Sequence, residues 1–231
     1  MLLREYLQSV YSISRRKFTD LIDQGKISVN GEVVHSYKQL IQENEELRIK
    51  NEELKYFIDE KVKITRKESE SIIVLFNKPM GYVVSKADPH NTTIYELLPP
   101  EYQGFYYIGR LDKDSRGLLL LTNDPKLVNE YEHPKFEISK EYIVQIDRPL
   151  TSRDIQRMKD GLVDEDDRLQ VADCRLQKDC VVNIILHEWK KRHIRRIFKA
   201  LGYKVVDLQR IREGKFELGN LKEGERKKVN G

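Results

Sequence analysis

Apolar positions along this chain keep two different periods, and the change between them divides it. After Ser14, which can cap a helix, Phe18, Leu21 and Ile22 recur at helical spacing, and Gly25 closes the segment. Next, 26–29 and 32–34 alternate around Asn30-Gly31, a dipeptide suited to a two-residue hairpin because both of its residues tolerate positive φ. A later strand over 46–50 would complete a small helix-plus-hairpin unit. Residues 51–70 are mostly charged with scattered apolar positions, which suits a semi-extended connection. From Ser71 the pattern turns strand-like. A buried run ends at Lys78-Pro79, and further strands are expected at 83–84, 105–108, 118–121, 142–146, 169–176 and 181–187. Helical spacing returns at 125–131, 152–160 and 190–201. Strands in hairpin-like order with helices between some of them predict an α+β fold. The large domain should hold a mixed, mostly antiparallel sheet flanked by helices. The expected division is a small N-terminal domain over 1–58, a linker over 59–70 and a large domain over 71–231.

Composition narrows the class. The 231 residues are 39% apolar and 35% charged, which describes a globular chain with a heavily charged surface. No stretch approaches the ~20 apolar residues of a membrane span. The opening Met1-Leu-Leu-Arg-Glu-Tyr reads as an amphipathic helix rather than a signal peptide. Cys174 and Cys180 have neither disulfide-framework nor zinc spacing, so reduced core thiols and a cytoplasmic setting are expected. His90, His133, His187 and His193 show no ligand spacing, and no metal is expected.

Charge is unevenly spread. Residues 1–60 hold nine Lys/Arg against eleven Asp/Glu, and residues 61–186 hold nineteen against twenty-one. Residues 187–231 hold fourteen against six, so the net +4 of the chain comes from an excess of +8 in its last fifth. Such concentration points to a polyanionic partner. Two basic stripes sharpen this. Arg15, Arg16 and Lys17 fill the first turn of the N-terminal helix, where cations oppose the helix dipole at about 0.3–1 kcal/mol each. That placement makes sense if a phosphate backbone is to be met. On the 190–201 helix, Ile194, Ile197, Phe198 and Leu201 form a core stripe. Beside it Arg192, Arg195, Arg196 and Lys199 form a basic one with no acid interleaved. Phosphates or an active-site carboxylate would be its partners.

The candidate chemistry lies in Gly109-Arg110-Leu111-Asp112-Lys113-Asp114-Ser115-Arg116-Gly117, set between two apolar strands. A carboxylate held in a cleft needs arginines on either side to keep it charged and oriented. On the residues alone, Asp112, Asp114 and Asp124 are equally available.

Several blocks resemble the bacterial-type ribosomal RNA pseudouridine synthases. They are Asn77-Lys78-Pro79-Met80-Gly81-Tyr82-Val83-Val84-Ser85, then 109–124, then His133-Pro134-Lys135 with Lys140-Glu141-Tyr142. Glu188 through Phe198 and Leu208-x-Arg210-Ile211-Arg212-x-Gly214 follow in the same order. Within the first fifty-odd residues, Ser-Arg-Arg … Leu-Ile-x-x-Gly-x-Ile-x-Val-Asn-Gly resembles the RNA-binding domain named after ribosomal small-subunit protein four.

That resemblance implies Asp112 as the catalytic carboxylate, Arg110 and Arg195 as its charge partners, and Tyr142 as the ring that stacks on uracil. RNA contacts are expected from Arg15, Arg16, Lys17, Lys78, Arg192, Arg196 and Lys199. No cofactor is implied. The expected partner is ribosomal RNA, more often of the large subunit, free or in a pre-ribosomal particle. Trp189 departs from the glycine common after this glutamate, and Ser115, Arg116, Pro125 and Arg192-His193 depart similarly. Two rivals stand beside this reading. One is a non-catalytic RNA-binding or assembly factor on the same scaffold. The other is a glycosidic-bond hydrolase, which would ordinarily need a second carboxylate, and no such pair stands out.

Overall fold

Ser14 does cap a helix, its hydroxyl accepting from the Lys17 amide at 3.2 Å. In the computed structural model, described over residues 1–11, 13–42, 44–50, 62–63, 71–164 and 167–230, the chain separates into units 1–70 and 71–231. The first unit contains α1 (Leu3–Tyr11), α2 (Arg15–Asp23), β1 (Ile27–Val29), β2 (Glu32–Val33), β3 (Glu46–Ile49) and β4 (Val62–Lys63). The strands run antiparallel in the order β2-β1-β3-β4. Asn30 and Gly31 take φ of 51° and 86°, as the tight hairpin requires. Phe18, Leu21 and Ile22 bury the inner face of α2 against Leu3, Leu7, Ile27 and Leu47. Val62–Lys63, inside the stretch expected to be a linker, pair with β3. The rest of that expected linker lies outside the described residues.

The second unit runs β5 (Ile72–Lys78), β6 (Tyr106–Ile108), β7 (Arg116–Thr122), α3 (Pro125–Glu132), β8 (Lys140–Ile146) and α4 (Ser152–Asp160). It continues with β9 (Leu162–Asp164), β10 (Asp167–Leu169), β11 (Asp173–Lys178), β12 (Val181–Leu186) and α5 (His193–Ala200). It ends with β13 (Val205–Glu213), β14 (Phe216–Glu217) and β15 (Arg226–Asn230). The main sheet is ordered β11-β12-β8-β13-β7-β5-β15, with β6 on β7 and β14 on β13. Only the β13–β7 pairing among the described pairings of this sheet is parallel, so the mixed, mostly antiparallel sheet flanked by helices is present as expected. The run Leu118–Leu121 is continuous because both sheet faces are covered. Leu119 and Leu121 join the side that holds α5, and Leu118 and Leu120 the side that holds α3.

Three expectations change. The 169–176 strand is two strands in different sheets. Val83 makes only an isolated bridge to Thr93. The 190–201 helix begins at His193, because Arg192 takes a left-handed φ of 53° and ends the preceding turn. The nine-residue β13, which lies in the middle of the sheet, has no counterpart among the strands expected from the sequence. No helix among the described residues is long and apolar enough to cross a membrane.

Candidate active site

The 109–117 segment is the loop of the β6–β7 hairpin. Gly109 and Gly117 bracket it at φ of 63° and 106°. A Cβ on Gly117 would stand 2.2 Å from the Arg210 carbonyl oxygen, so only glycine lets β7 lie against β13 there. Leu111 and Ser115 are buried and anchor the loop, leaving Asp112 29% exposed between them. Lys78 braces the loop from beneath. Its fully buried ammonium donates to the carbonyls of Pro79 (3.0 Å), Asp112 (3.2 Å) and Ser115 (2.7 Å). Burial pulls that ammonium down to about 8, against the opposing pull of Asp112. Lys78 therefore holds the loop and is not placed to meet RNA, which corrects its expected role.

The arginines converge on this loop from the start of α5. Arg192 places Nη1 3.8 Å from Asp112 Oδ2 and Nη2 3.1 Å from Asp114 Oδ2. Arg195 donates to the Asp114 carbonyl at 2.6 Å and to Ser115 Oγ at 3.3 Å, with Nε 3.4 Å from Asp114 Oδ2. Partial burial raises the Asp114 carboxyl, but the hydrogen bond from Arg192 and the charges of Arg195 and Arg192 outweigh it and hold the group low. Asp112 thus takes its guanidinium partner from Arg192. Arg110 is exposed, with no ion pair among the described residues, and Arg195 bonds the loop at Asp114 and Ser115, where the Asp112 charge also acts on it.

Tyr142 projects from β8 into the core and is fully buried. Burial raises its phenol far above the ordinary range, so the ring stays neutral. Trp189 lies stacked on that ring, with centroids 5.7 Å apart and planes inclined by 20°. Behind it sits a charged chain that the sequence pattern did not single out. Arg210, register partner of Tyr142, donates from Nε to the Leu118 carbonyl at 2.7 Å and pairs with Glu213 at 3.1 Å. Glu213 also faces Lys140 at 3.5 Å, and both Arg210 and Glu213 are 1% exposed. The signal available for them was their place in an otherwise alternating strand, where buried positions would be expected to be apolar.

The remaining expected RNA contacts fall into two sets. Arg196 is committed to Asp164 and Asp167, which come from β9 and β10, and so is not an unpaired cation. Lys199 is exposed at the end of α5, and Arg15 and Arg16 are exposed on α2 with Lys17 half-buried beside them.

Comparison with known proteins fits this geometry. A model of the RNA pseudouridylate synthase family matches residues 72–200, and a model of the S4 domain matches residues 5–47. An uncharacterized RNA pseudouridine synthase of Aquifex aeolicus is 32% identical over 99% of this chain and 90% of its own length. Ribosomal small subunit pseudouridine synthase A of Pasteurella multocida is 30% identical, covering 97% and 94%. Ribosomal large subunit pseudouridine synthase B of Bacillus subtilis is 29% identical, covering 94% and 86%. A crystal structure of a pseudouridylate synthase superposes with a TM-score of 0.69 at 29% identity, over 100% of this chain and 96% of that one. With a braced aspartate loop, a buried neutral tyrosine and matches running nearly end to end, the chain belongs to the RNA pseudouridine synthase family and carries an N-terminal S4 domain.

Proposed function

We propose that this protein isomerises a uridine of ribosomal RNA to pseudouridine, with Asp112 as the carboxylate that handles the base–sugar bond. The carrying observation is that Asp112 stands part-exposed on a hairpin braced by the buried Lys78, with the Arg192 guanidinium 3.8 Å from its carboxylate. In the reaction the bond from C1′ to N1 breaks, the base turns, and a bond from C1′ to C5 forms. A proton leaves C5 and N1 gains one, so nothing is consumed. A carboxylate can serve as nucleophile or electrostatic stabiliser for such a step. The uridine must first leave its stack, and an aromatic face such as Tyr142 offsets the loss by about 1–3 kcal/mol. Arg192 orients the carboxylate through its ion pair. Arg195 acts one step back, holding the Asp114 carbonyl so that the loop keeps its shape.

Relatives named for both ribosomal subunits stand at similar identity, which supports ribosomal RNA as the substrate class, with the large subunit as the expected target. The N-terminal domain would add affinity through Arg15, Arg16 and Lys17 in the cytoplasm, where ribosomes are assembled. Mapping pseudouridine in both ribosomal RNAs, from cells with and without the gene, reads the target. With purified protein, Asp112→Asn should abolish product while RNA binding persists. Wild-type turnover by that variant would remove Asp112 from its role.

A further inference from the structure

Uracil can stack on Tyr142 only if a face of that ring is available, and the structure leaves none. Tyr142 has no exposed surface. Most of what surrounds it belongs to the sheet and its core: Val144 and Ile184 among the apolar neighbours, and Arg210 and Glu213 on β13. Trp189 is different. It rides on the turn between β12 and α5, is 38% exposed, and lies nearly parallel to the tyrosine ring. The same short turn brings Arg192 to Asp112. Four consecutive residues therefore set an aromatic plane on the ring meant for the base and a cation on the carboxylate meant for the nucleotide. Arg192 does so in a left-handed conformation that non-glycine residues rarely adopt. Beside the turn lies a cleft of about 520 Å³, lined among others by His133, Lys140, Val171, Glu188 and Trp189 itself, with room to receive a displaced indole.

We propose that Trp189 is an exchange residue for the substrate base: in the free protein its indole occupies the Tyr142 face that the turned-out uracil takes over. This rests on the function proposed above and adds a residue to it. The indole keeps the aromatic face covered until RNA arrives, and its stacking must be given up when the base enters. It therefore stabilises the free enzyme only, and its removal should show in KM rather than kcat. A residue that merely packs on the core would behave oppositely, since its loss would loosen Tyr142 and weaken substrate binding.

The chain has one tryptophan, so its emission reports this ring alone. Full-length Asp112→Asn protein, expected to hold RNA without turnover, is titrated with ribosomal RNA from cells lacking the gene. Emission should change with the same midpoint as RNA binding measured by filter retention. In turnover assays on that RNA, Trp189→Ala should lower KM roughly 2- to 12-fold, the worth of one aromatic stack, with the change confined to KM. Trp189→Phe, which keeps a ring, should stay near wild type. Emission that does not move at saturating RNA, or a KM that holds or rises in Trp189→Ala, overturns the proposal. If the alanine variant does not fold, the emission titration decides alone. Product from the wild type together with unmoved emission sinks this inference only, whereas no product from the wild type sinks the functional reading beneath it.

Discussion

Two runs of basic residues, one consecutive and one at helical spacing, meet different fates in this molecule. On α2, Arg15 and Arg16 stand in solvent, and no acidic residue occupies the first turn. Around α5, Arg192, Arg195 and Arg196 are each engaged, by Asp112 and Asp114, by Asp114 and Ser115, and by Asp164 and Asp167. α5 carries no acid of its own, whereas α2 has Asp20 and Asp23 beyond its basic first turn. What marks α5 is which strands fold back opposite it: β9, β10 and the β6–β7 loop carry the aspartates that engage its arginines. A cation is available to RNA only if the tertiary structure leaves it unpaired, whatever its neighbours in sequence.

Three variants test this contrast. Lys78→Met should have the largest effect. It leaves the carbonyls of Pro79, Asp112 and Ser115 without their shared donor, at a cost of about 2–4 kcal/mol in urea unfolding together with loss of activity. A near-neutral result would return Lys78 to the exposed class. Charge reversal of Arg15, Arg16 and Lys17 to Glu should hardly alter unfolding, since acids suit a helix N-terminus. It should weaken RNA binding about tenfold or more and lower the slope of log K against log salt by about 1 for each phosphate no longer neutralised. An unaltered slope would make that helix ordinary surface. Arg196→Gln should do least, lowering Tm slightly while leaving the salt slope of RNA binding where it was. A flatter slope would show that Arg196 leaves its aspartates to meet RNA.

How far the sequence reached differs by element. The hairpin at Asn30-Gly31, the cap at Ser14 and the helix over 152–160 were readable because each depends on residues within one turn of chain. β13 was not, because Arg210 and Glu213 break the apolar side of its alternation, and besides each other they meet Lys140 and the Leu118 carbonyl, far away in the chain. For the same reason Lys78 looked like surface: its three acceptors are backbone carbonyls, which no side-chain pattern announces. The loop around Asp112 could be recognised from its spelling, but not which arginine would meet the carboxylate. Arg110 is two residues away and turns outward, while Arg192 is eighty positions on and arrives through a left-handed turn.

The order of residues by itself determined the local forms: where the chain turns, which stretches bury both faces, and that a carboxylate would sit in a glycine-bracketed hairpin. These depend on backbone preference and side-chain period, which act over a few residues. Which charges are paired across strands, that Lys78 is a brace, and that an indole stacks on the Tyr142 ring were decided only when distant strands came together. Coulombic pairing and desolvation depend on distance in space, and that distance is set by the fold rather than by adjacency along the chain.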